Sequence, residues 1–373
     1  SPTINPDEYT SIIDVFEKAV LQHRDRPAFT NMGKTLTYRD VDELSKAFAA
    51  YLQNELHMSR GDRIAIQLPN LLQYPVVLYG ALRAGLVIVN TNPLYTPREM
   101  QHQFKDSQAK AIVILANFAN HLEKIIGQTV IKHVIITEIG DLLGFPKALI
   151  VNSIVKHVKK MVPSFELPGA LSLSSILRAG KQMKFHSVSI EPQTLAFLQY
   201  TGGTTGVAKG AMLSHRNIVA NMLQISEWMH LKIGVGETIM APLPLYHIFS
   251  LTVNALAFFK QGGHNILITN PRDIAALIKE LKQIKFTAFV GLNTLFNALL
   301  NHPEFVNVDC THLKVSVAGG MAMQKAVVMR WQEVTGTPLI EGYGLTEASP
   351  VVCCNPLDGH DRIGTIGLPL PST

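Results

Sequence analysis

The stretch RIAIQLPNLLQYPVVLYGALRAGLVIVNTNP, residues 63–93, decides the fold class of this 373-residue chain. It begins as a short apolar strand, continues as a helix that Gly85 can cap, and returns to a second apolar strand. The alternation extends outward: residues 10–57 predict two amphipathic helices around a hairpin-like insert, a helix is predicted from 96 to 107, and a second series of strands and helices starts near 194. Short β-branched strands separated by helices are typical of a parallel, doubly wound α/β sheet.

Length and composition indicate two lobes. The chain is about twice the usual length of a single-core domain, and 47% of it is hydrophobic against 16% charged. We therefore predict an α/β fold of two stacked, doubly wound lobes with the beginning of a small β-barrel-like element. The predicted division is 1–190, then 191–345 with a glycine-rich loop, then 346–373 as the start of a truncated β subdomain.

Charge and cysteine content exclude several classes of protein. The net charge of +5 includes no dense basic block, so nucleic acid is not an expected partner, although anionic small molecules or an anionic membrane surface would suit it. Three cysteines, Cys310, Cys353 and Cys354, form neither a disulfide framework nor a metal motif, which favours a reducing compartment. We expect a cytoplasmic protein, because no signal-peptide pattern opens the sequence and no apolar run reaches roughly 18 residues.

The densest chemical signal is YTGGTTGVAKGAMLSH, residues 200–215, between two apolar strands. Its glycines let backbone N–H groups approach an anion, and its threonines and lysine add hydroxyl donors and a cation. It is not a Walker A loop, because Ala208 and Gly210 stand where that motif needs Gly and Ser or Thr, so a metal ligand must come from elsewhere. A hairpin without a ligand is the alternative. The predicted phosphate ligands are Thr201, Gly202, Gly203, Thr204, Thr205, Gly206 and Lys209.

This loop resembles the phosphate loop of the adenylate-forming superfamily, and it is very similar to that of bacterial long-chain fatty acyl-CoA synthetases. Three further motifs follow in the order of that family: PLPLYHIFS at 242–250, VAGGMAMQ at 317–324 and EGYGLTEASP at 341–350. The resemblance covers nearly the whole chain, including LTYRDVDELS and GLVIVNTNPLYTPRE near its start. Each motif alone is weak, but four in order form a strong signal.

The resemblance implies a role for each of these motifs. It assigns Glu347 to Mg²⁺, Thr346 to the α-phosphate, and His247 to the space between acyl carboxylate and nucleotide. From residues alone, Glu347 could be a solvated carboxylate at a helix start. His247 could be a core residue whose ring nitrogens have hydrogen-bond partners within the protein. The implied catalytic set is Thr201, Lys209, His247, Thr346 and Glu347, and the implied nucleotide contacts beyond the loop are Gly319, Gly320, Glu341, Gly342, Tyr343, Gly344 and Thr346. Residues 289–300 form part of an acyl tunnel by analogy, or plain core.

The family's reaction joins a fatty acid carboxylate to the α-phosphate of ATP and then transfers the acyl group to coenzyme A, with Mg²⁺ accompanying ATP. Relative to the family, the chain ends before the ribose-binding Asp, the hinge and the C-terminal domain that carries the adenylation lysine. We therefore expect this chain alone to be nearly inactive. The alternatives are a ligase for a medium-chain or aryl acid, and a non-catalytic nucleotide-binding or membrane-docking module. A homodimer stays open.

Residues 147–162 predict a basic amphipathic helix. One interpretation is a surface helix packed on its own core. The other is a membrane-surface anchor, which would place the protein peripherally on the cytoplasmic face of the inner membrane. Wound as a helix, the segment gathers Ile150, Ile154, Val155, Val158, Met161 and Val162 on one face, and Asn152, Lys156, Lys159 and Lys160 on another.

Overall fold

The computed structural model describes residues 3–202, 207–230 and 232–373. Within these residues the strands are β1 (Pro27–Asn31), β2 (Lys34–Thr37), β3 (Arg63–Gln67), β4 (Val87–Asn90), β5 (Ala109–Leu115), β6 (His133–Thr137), β7 (Leu171–Ser172), β8 (Leu195–Thr201), β9 (Lys209–Ser214), β10 (Thr238–Ala241), β11 (His264–Leu267), β12 (Ala288–Gly291), β13 (Val315–Ala318), β14 (Leu339–Gly344), β15 (Val351–Cys354) and β16 (Leu368–Pro369). The α-helices are α1 (Ile12–His23), α2 (Tyr38–Asn54), α3 (Gln73–Arg83), α4 (Pro97–Ser107), α5 (Ala119–Glu123), α6 (Lys147–Ser153), α7 (Leu173–Gly180), α8 (His215–Met229), α9 (Ile248–Ser250), α10 (Ile274–Leu281), α11 (Asn293–Asn301) and α12 (Lys325–Thr335). π-helical turns continue α6 over Ile154–Val158 and α9 over Leu251–Phe258.

Local sequence explains where several helices begin. Thr37, Thr96 and Ser214 each accept a hydrogen bond from the backbone N–H three residues later, and the side chain at that later position accepts one in return. This reciprocal capping satisfies two N–H groups that the first helical turn leaves without partners. The helix predicted over 96–107 is therefore confirmed as α4, which begins one residue after its cap.

The strands form two mixed sheets. One has seven strands in the order β7-β6-β5-β3-β4-β8-β9, and the other has nine in the order β16-β15-β14-β13-β12-β10-β11-β1-β2. The pairs β1/β2, β8/β9, β14/β15 and β15/β16 are antiparallel, and the other neighbours are parallel. The predicted α/β fold class is confirmed, and residues 346–373 begin as an antiparallel extension of the nine-stranded sheet.

The predicted division at residue 190 does not follow these sheets. Strands β1 and β2, from the predicted first lobe, pair in the nine-stranded sheet, while β8 and β9, from the predicted second lobe, close the seven-stranded sheet. The chain therefore crosses between the two sheets more than once, and the strands on either side of the glycine-rich loop belong to the seven-stranded sheet. A linear pattern misses this because strand pairing is set by packing and not by sequence order.

The core joins both sheets into one body. Tyr79 of α3 and Phe16 of α1 pack against Phe259, with ring centroids 5.1 and 5.3 Å away. The buried hydroxyl of Tyr38 donates to the carbonyls of Phe259 and Gly263, each at 2.9 Å. The loops that leave the two sheets are therefore held in fixed relative positions, which is what a site built from both requires.

Candidate active site

A cavity of about 570 Å³ lies where strand ends of the two sheets meet. The carboxyl ends of parallel strands are the usual place for a ligand crevice in α/β folds, and the volume falls within the range of small-molecule sites. Of the predicted site residues, the structure brings these to its wall: Thr201, Gly202, His247, Gly319, Gly320, Gly342, Tyr343, Gly344, Thr346 and Glu347.

The seven-stranded sheet contributes the hairpin β8–β9. Thr201 is the last residue of β8, Gly202 follows it, and Lys209 pairs with Thr201 across the hairpin. Strand β9 packs against the turn Thr346–Ala348, so the later part of the predicted phosphate loop and the predicted metal ligand are neighbours. The exposed Lys209 side chain is outside the cavity wall. The remaining loop predictions, Gly203, Thr204, Thr205 and Gly206, lie outside the described residues.

The nine-stranded sheet contributes two glycine-rich strand ends. Gly320 follows β13 with φ of +78°, a backbone conformation that L side chains rarely adopt. At Gly344, the last residue of β14, a Cβ atom would collide with the carbonyl oxygen of Pro350. Tyr343 beside it is 41% exposed and offers an aromatic face to the cavity. These glycines and the ring therefore line the cavity at the carboxyl ends of β13 and β14, where a flat ligand can lie against them.

Glu347 lines the cavity from the short turn that follows β14. Its carboxylate is exposed, and within the described parts of the chain no cation forms an ion pair with it. No three His, Cys, Asp or Glu side chains among those residues cluster into a protein-only metal site. One carboxylate without an ion pair at the cavity wall fits Mg²⁺, which is commonly held by one or two carboxylates plus substrate phosphates.

His247 lies at the junction of the cavity's polar and apolar regions. It caps α9, where its Nδ1 accepts a hydrogen bond from the Phe249 N–H at 3.3 Å. Although the side chain is exposed, desolvation by the surrounding protein lowers the pKa of His247 below its ordinary value, so the neutral ring predominates at pH 7. A neutral ring with an engaged Nδ1 leaves Nε2 as the polar atom available to a ligand.

Residues that follow β3 position the segment that carries His247. The buried Asn70 donates through Nδ2 to the carbonyls of Ala241 (2.9 Å) and Leu243 (2.8 Å), and its Oδ1 accepts from the Leu245 N–H at 2.8 Å. The Tyr74 hydroxyl donates to the carbonyl of Leu245 at 2.9 Å. This part of the wall is therefore built by residues 63–93 as much as by its own motif.

Glu341 does not line the cavity, although it was predicted among the nucleotide contacts. Its Oε1 accepts a hydrogen bond from the Gly364 N–H at 2.8 Å, and its Oε2 accepts from the Met323 N–H at 3.3 Å. In this structure the carboxylate therefore joins the segment after β13 to the segment before β16.

The apolar end of the cavity comes mostly from residues that the sequence did not single out. Trp228 of α8 lines it and donates from Nε1 to the carbonyl of Asn355 at 3.1 Å. Cys354 also faces it, and burial raises the pKa of this thiol to about 12. The apolar lining residues are Ile225, Trp228, Met229, Ile248, Phe249, Val253, Val317, Leu345, Pro350, Val351, Cys354, Leu357 and Leu370.

Residues 289–300, predicted as either acyl tunnel or core, are core in this structure. None of them lines the cavity, and Phe296 and Leu299 are fully buried against Trp331 and its neighbours. A stripe on α8, residues 225, 228 and 229, had the helical spacing that could have indicated this wall. Periodicity cannot say whether such a stripe faces core or ligand.

The chain belongs to the AMP-binding enzyme family, whose sequence profile matches residues 16–373. It is 54% identical over 371 residues to a long-chain-fatty-acid–CoA ligase of Escherichia coli O6:H1, covering 99% of this chain and 66% of that protein. The chain thus spans slightly less than two thirds of that relative's length.

Two solved structures share the fold. An anthranilate CoA ligase in complex with anthranoyl-AMP superposes with a TM-score of 0.85 at 20% identity, over 98% of this chain and 66% of that one. A long-chain-fatty-acid-CoA ligase from Archaeoglobus fulgidus gives 0.82 at 22% identity, over 99% and 70%. At these identities the likeness establishes the architecture alone.

Proposed function

We propose that the whole protein of which this chain forms part activates a long-chain fatty acid with ATP, first as acyl-adenylate and then as the coenzyme A thioester. The observation that carries the proposal is the two-part cavity. Thr201, Gly202, Thr346 and Glu347 form its polar mouth, and apolar side chains form its interior. An anionic nucleotide suits the mouth, and an acyl chain suits the interior.

In the first step an oxygen of the fatty acid carboxylate attacks the α-phosphorus of ATP, and pyrophosphate leaves as the bond to it breaks. In the second step the coenzyme A sulfur attacks the acyl carbonyl, AMP leaves with the electron pair of the broken C–O bond, and the thiol proton is released. No protein nucleophile is needed. The role of the chain is to hold the two reactants close and to meet charge on phosphate oxygens.

Each residue at the mouth has a proposed part in that task. Backbone N–H groups near Gly202 and the hydroxyls of Thr201 and Thr346 are donors for phosphate oxygens. The neutral His247 orients the carboxylate by donating from its ring, and Tyr343 packs on the adenine. Glu347 would hold Mg²⁺, which when bound offsets the negative charge of the phosphates.

The acyl preference follows from the apolar interior. Each buried methylene contributes about 0.8 kcal/mol, or roughly fourfold in affinity, so a long chain gains more from this wall than a small aromatic acid. The name of the Escherichia coli relative agrees with a long-chain substrate. A cytoplasmic location and a homodimer are further proposals that rest on sequence. Peripheral contact with an anionic membrane is another.

Isothermal titration of this chain with a non-hydrolysable palmitoyl-adenylate tests the proposal. We expect saturable binding that is at least tenfold tighter than for a benzoyl-adenylate of the same linkage, because only the palmitoyl chain fills the apolar interior. Equal affinity for both mimics would refute the long-chain assignment. Failure of both mimics and of ATP to bind would refute the site.

The metal role of Glu347 is tested by ATP binding with and without Mg²⁺. We expect Glu347→Gln to abolish most of the gain in ATP affinity that Mg²⁺ provides, while binding of the palmitoyl mimic without metal is unchanged. Glu333→Gln, at an exposed position on α12, removes the same charge outside the cavity and is the matched control. An undiminished Mg²⁺ effect in Glu347→Gln would exclude Glu347 as the ligand.

A further inference from the structure

Residues 145–161 present apolar side chains to solvent. The predicted basic helix is here α6 followed by a π-helical turn, and no residue of either is buried. The interpretation of a helix packed by its apolar face on its own core therefore fails for most of that face. The exposed fractions are 86% at Phe145, 64% at Leu149, 54% at Ile150, 40% at Ile154, 73% at Val158 and 50% at Met161.

The same segment carries positive charge without compensation. Lys147, Lys156, Lys159 and Lys160 are exposed, and residues 142–165 contain no Asp or Glu. Across the described ranges, no carboxylate lies within ion-pair distance of any of these four lysines. The Lys147 ammonium group donates to the carbonyl of Met32, which leaves Lys156, Lys159 and Lys160 for other contacts. An apolar strip beside these three cations is the pattern of a surface that meets acidic lipid headgroups.

Polar contacts hold the segment in this orientation. Asn152 accepts from the Gly140 N–H at 2.6 Å and donates to Asp141 at 3.1 Å, and Asn117 donates to the carbonyl of Met161 at 3.0 Å. Val151 packs against the core from the opposite side. The middle and the C-terminal end of the segment are thus fixed, and its apolar strip cannot turn inward without breaking these bonds.

We propose that residues 145–161 form a docking surface for an anionic bilayer. Phe145, Leu149 and Val158 enter the boundary between headgroups and acyl chains, and the lysines contact the acidic headgroups. A bilayer suits this surface better than a protein groove because the apolar groups protrude and the adjacent charge is all positive. Among the described residues no helix is long and apolar enough to span a membrane, so the contact is interfacial.

The position of the surface relates it to the cavity. The segment follows β6, whose carboxyl end lies at the same edge of the seven-stranded sheet as that of β8, four strand spacings or about 19 Å away. Delivery of a bilayer-dissolved acid toward the cavity would rest on the proposed function. Docking itself does not, and its test contains neither ATP nor fatty acid.

Co-sedimentation with vesicles tests the surface. We expect the chain to bind vesicles of equal parts phosphatidylglycerol and phosphatidylcholine, and to bind pure phosphatidylcholine far more weakly. Each lysine contributes roughly fivefold to partitioning, so Lys156→Gln, Lys159→Gln and Lys160→Gln together should weaken binding roughly 100-fold. The matched control is the triple change Lys181→Gln, Lys279→Gln and Lys325→Gln at exposed lysines elsewhere.

The apolar contribution has its own pair of variants. Phe145→Ser with Val158→Ser should lower binding to the anionic vesicles, whereas Leu21→Ser with Val306→Ser, at positions 81% and 71% exposed, should not. Equal losses in test and control variants would overturn the proposal. So would equal binding of wild-type chain to both vesicle types.

Two further measurements separate the lipid from other occupants. A dimer in sedimentation velocity that Phe145→Ser with Val158→Ser dissociates would assign the surface to a second copy of the chain and overturn the proposal. Loss of vesicle binding in a protein of the relatives' full length would show that the additional residues cover this surface, which also overturns it. Retained binding in the longer protein supports it.

Discussion

Replacing Asn70 with alanine should destabilise the whole chain, because this side chain joins the two sheets. It is 2% exposed and makes three hydrogen bonds to backbone groups of residues 241–245. In Asn70→Ala the Leu245 N–H loses its partner. The Ala241 carbonyl still accepts from the Ile268 N–H at 3.2 Å, and the Leu243 carbonyl still accepts from the Ser250 hydroxyl at 2.9 Å. The same change should loosen the segment that carries His247.

The magnitude follows from those three groups. A buried N–H that loses its partner costs about 1–3 kcal/mol, and each of the two other lost hydrogen bonds contributes about 1 kcal/mol, so the total at the lower end is about 3 kcal/mol. That is a large part of the roughly 5–15 kcal/mol that stabilises a typical domain. Burial of the side chain means that water cannot fully replace the lost bonds without local opening.

Urea unfolding at pH 7 measures the effect, with Asn301→Ala as the control. Asn301 is exposed, and its change should stay within about 0.5 kcal/mol. Asn70→Asp tests the hydrogen-bond argument, because it keeps the shape and one acceptor but loses both donors. It should therefore be no more stable than Asn70→Ala at pH 7. A loss below about 1 kcal/mol in Asn70→Ala would refute the reasoning.

Three other expectations concern different parts of the chain. Burial lowers the pKa of His215 from 6.5 to about 4, so as the pH falls the unfolded chain takes up the proton before the folded chain does. The free energy of unfolding therefore decreases between about pH 6.5 and pH 4, by about 3 kcal/mol at pH 4. Urea unfolding across this pH range should show that this decrease is missing in His215→Asn. Gly180→Ala should cost about 1–3 kcal/mol, because its Cβ would collide with the backbone of Ala47, whereas Gly127→Ala, with open space around it, should be neutral or slightly stabilising. Cys354→Phe should shift binding from palmitoyl- toward octanoyl-adenylate in calorimetry by filling the apolar end of the cavity, and an unchanged ratio would exclude Cys354 from the acyl wall.

Local patterns predicted the elements that local forces determine. The stretch 63–93 gave two strands and a helix in the right places, since apolar runs and helix ends are short-range signals. The cap at Thr96 located the start of α4 for the same reason. The resemblance identified ten residues that line one cavity. They lie together because their motifs follow strands whose ends meet at this place in the two sheets.

Long-range features escaped prediction because they depend on which surfaces meet. The pairing of β8 with β4 places the hairpin strands β8 and β9 in the seven-stranded sheet. Nothing in residues 195–214 specifies β4 as the pairing partner. Trp228 and Cys354 line the cavity because α8 and β15 pack side by side, joined by the bonds of Asn221 to the backbone of Val351. Neither fact has a signature in the sequence of its own element.

The basic segment shows the same limit, with a consequence for function. Periodicity established that residues 147–162 have an apolar side and a charged side, but it could not establish which side packs inward. The contacts of Asn152 and Asn117 decide this, and they turn Val151 toward the core while Phe145 and Val158 face water. Exposed apolar area of this kind lowers solubility unless a partner covers it. Four lysines without carboxylates beside them specify the charge of that partner, and a neutral or cationic surface would gain nothing from them.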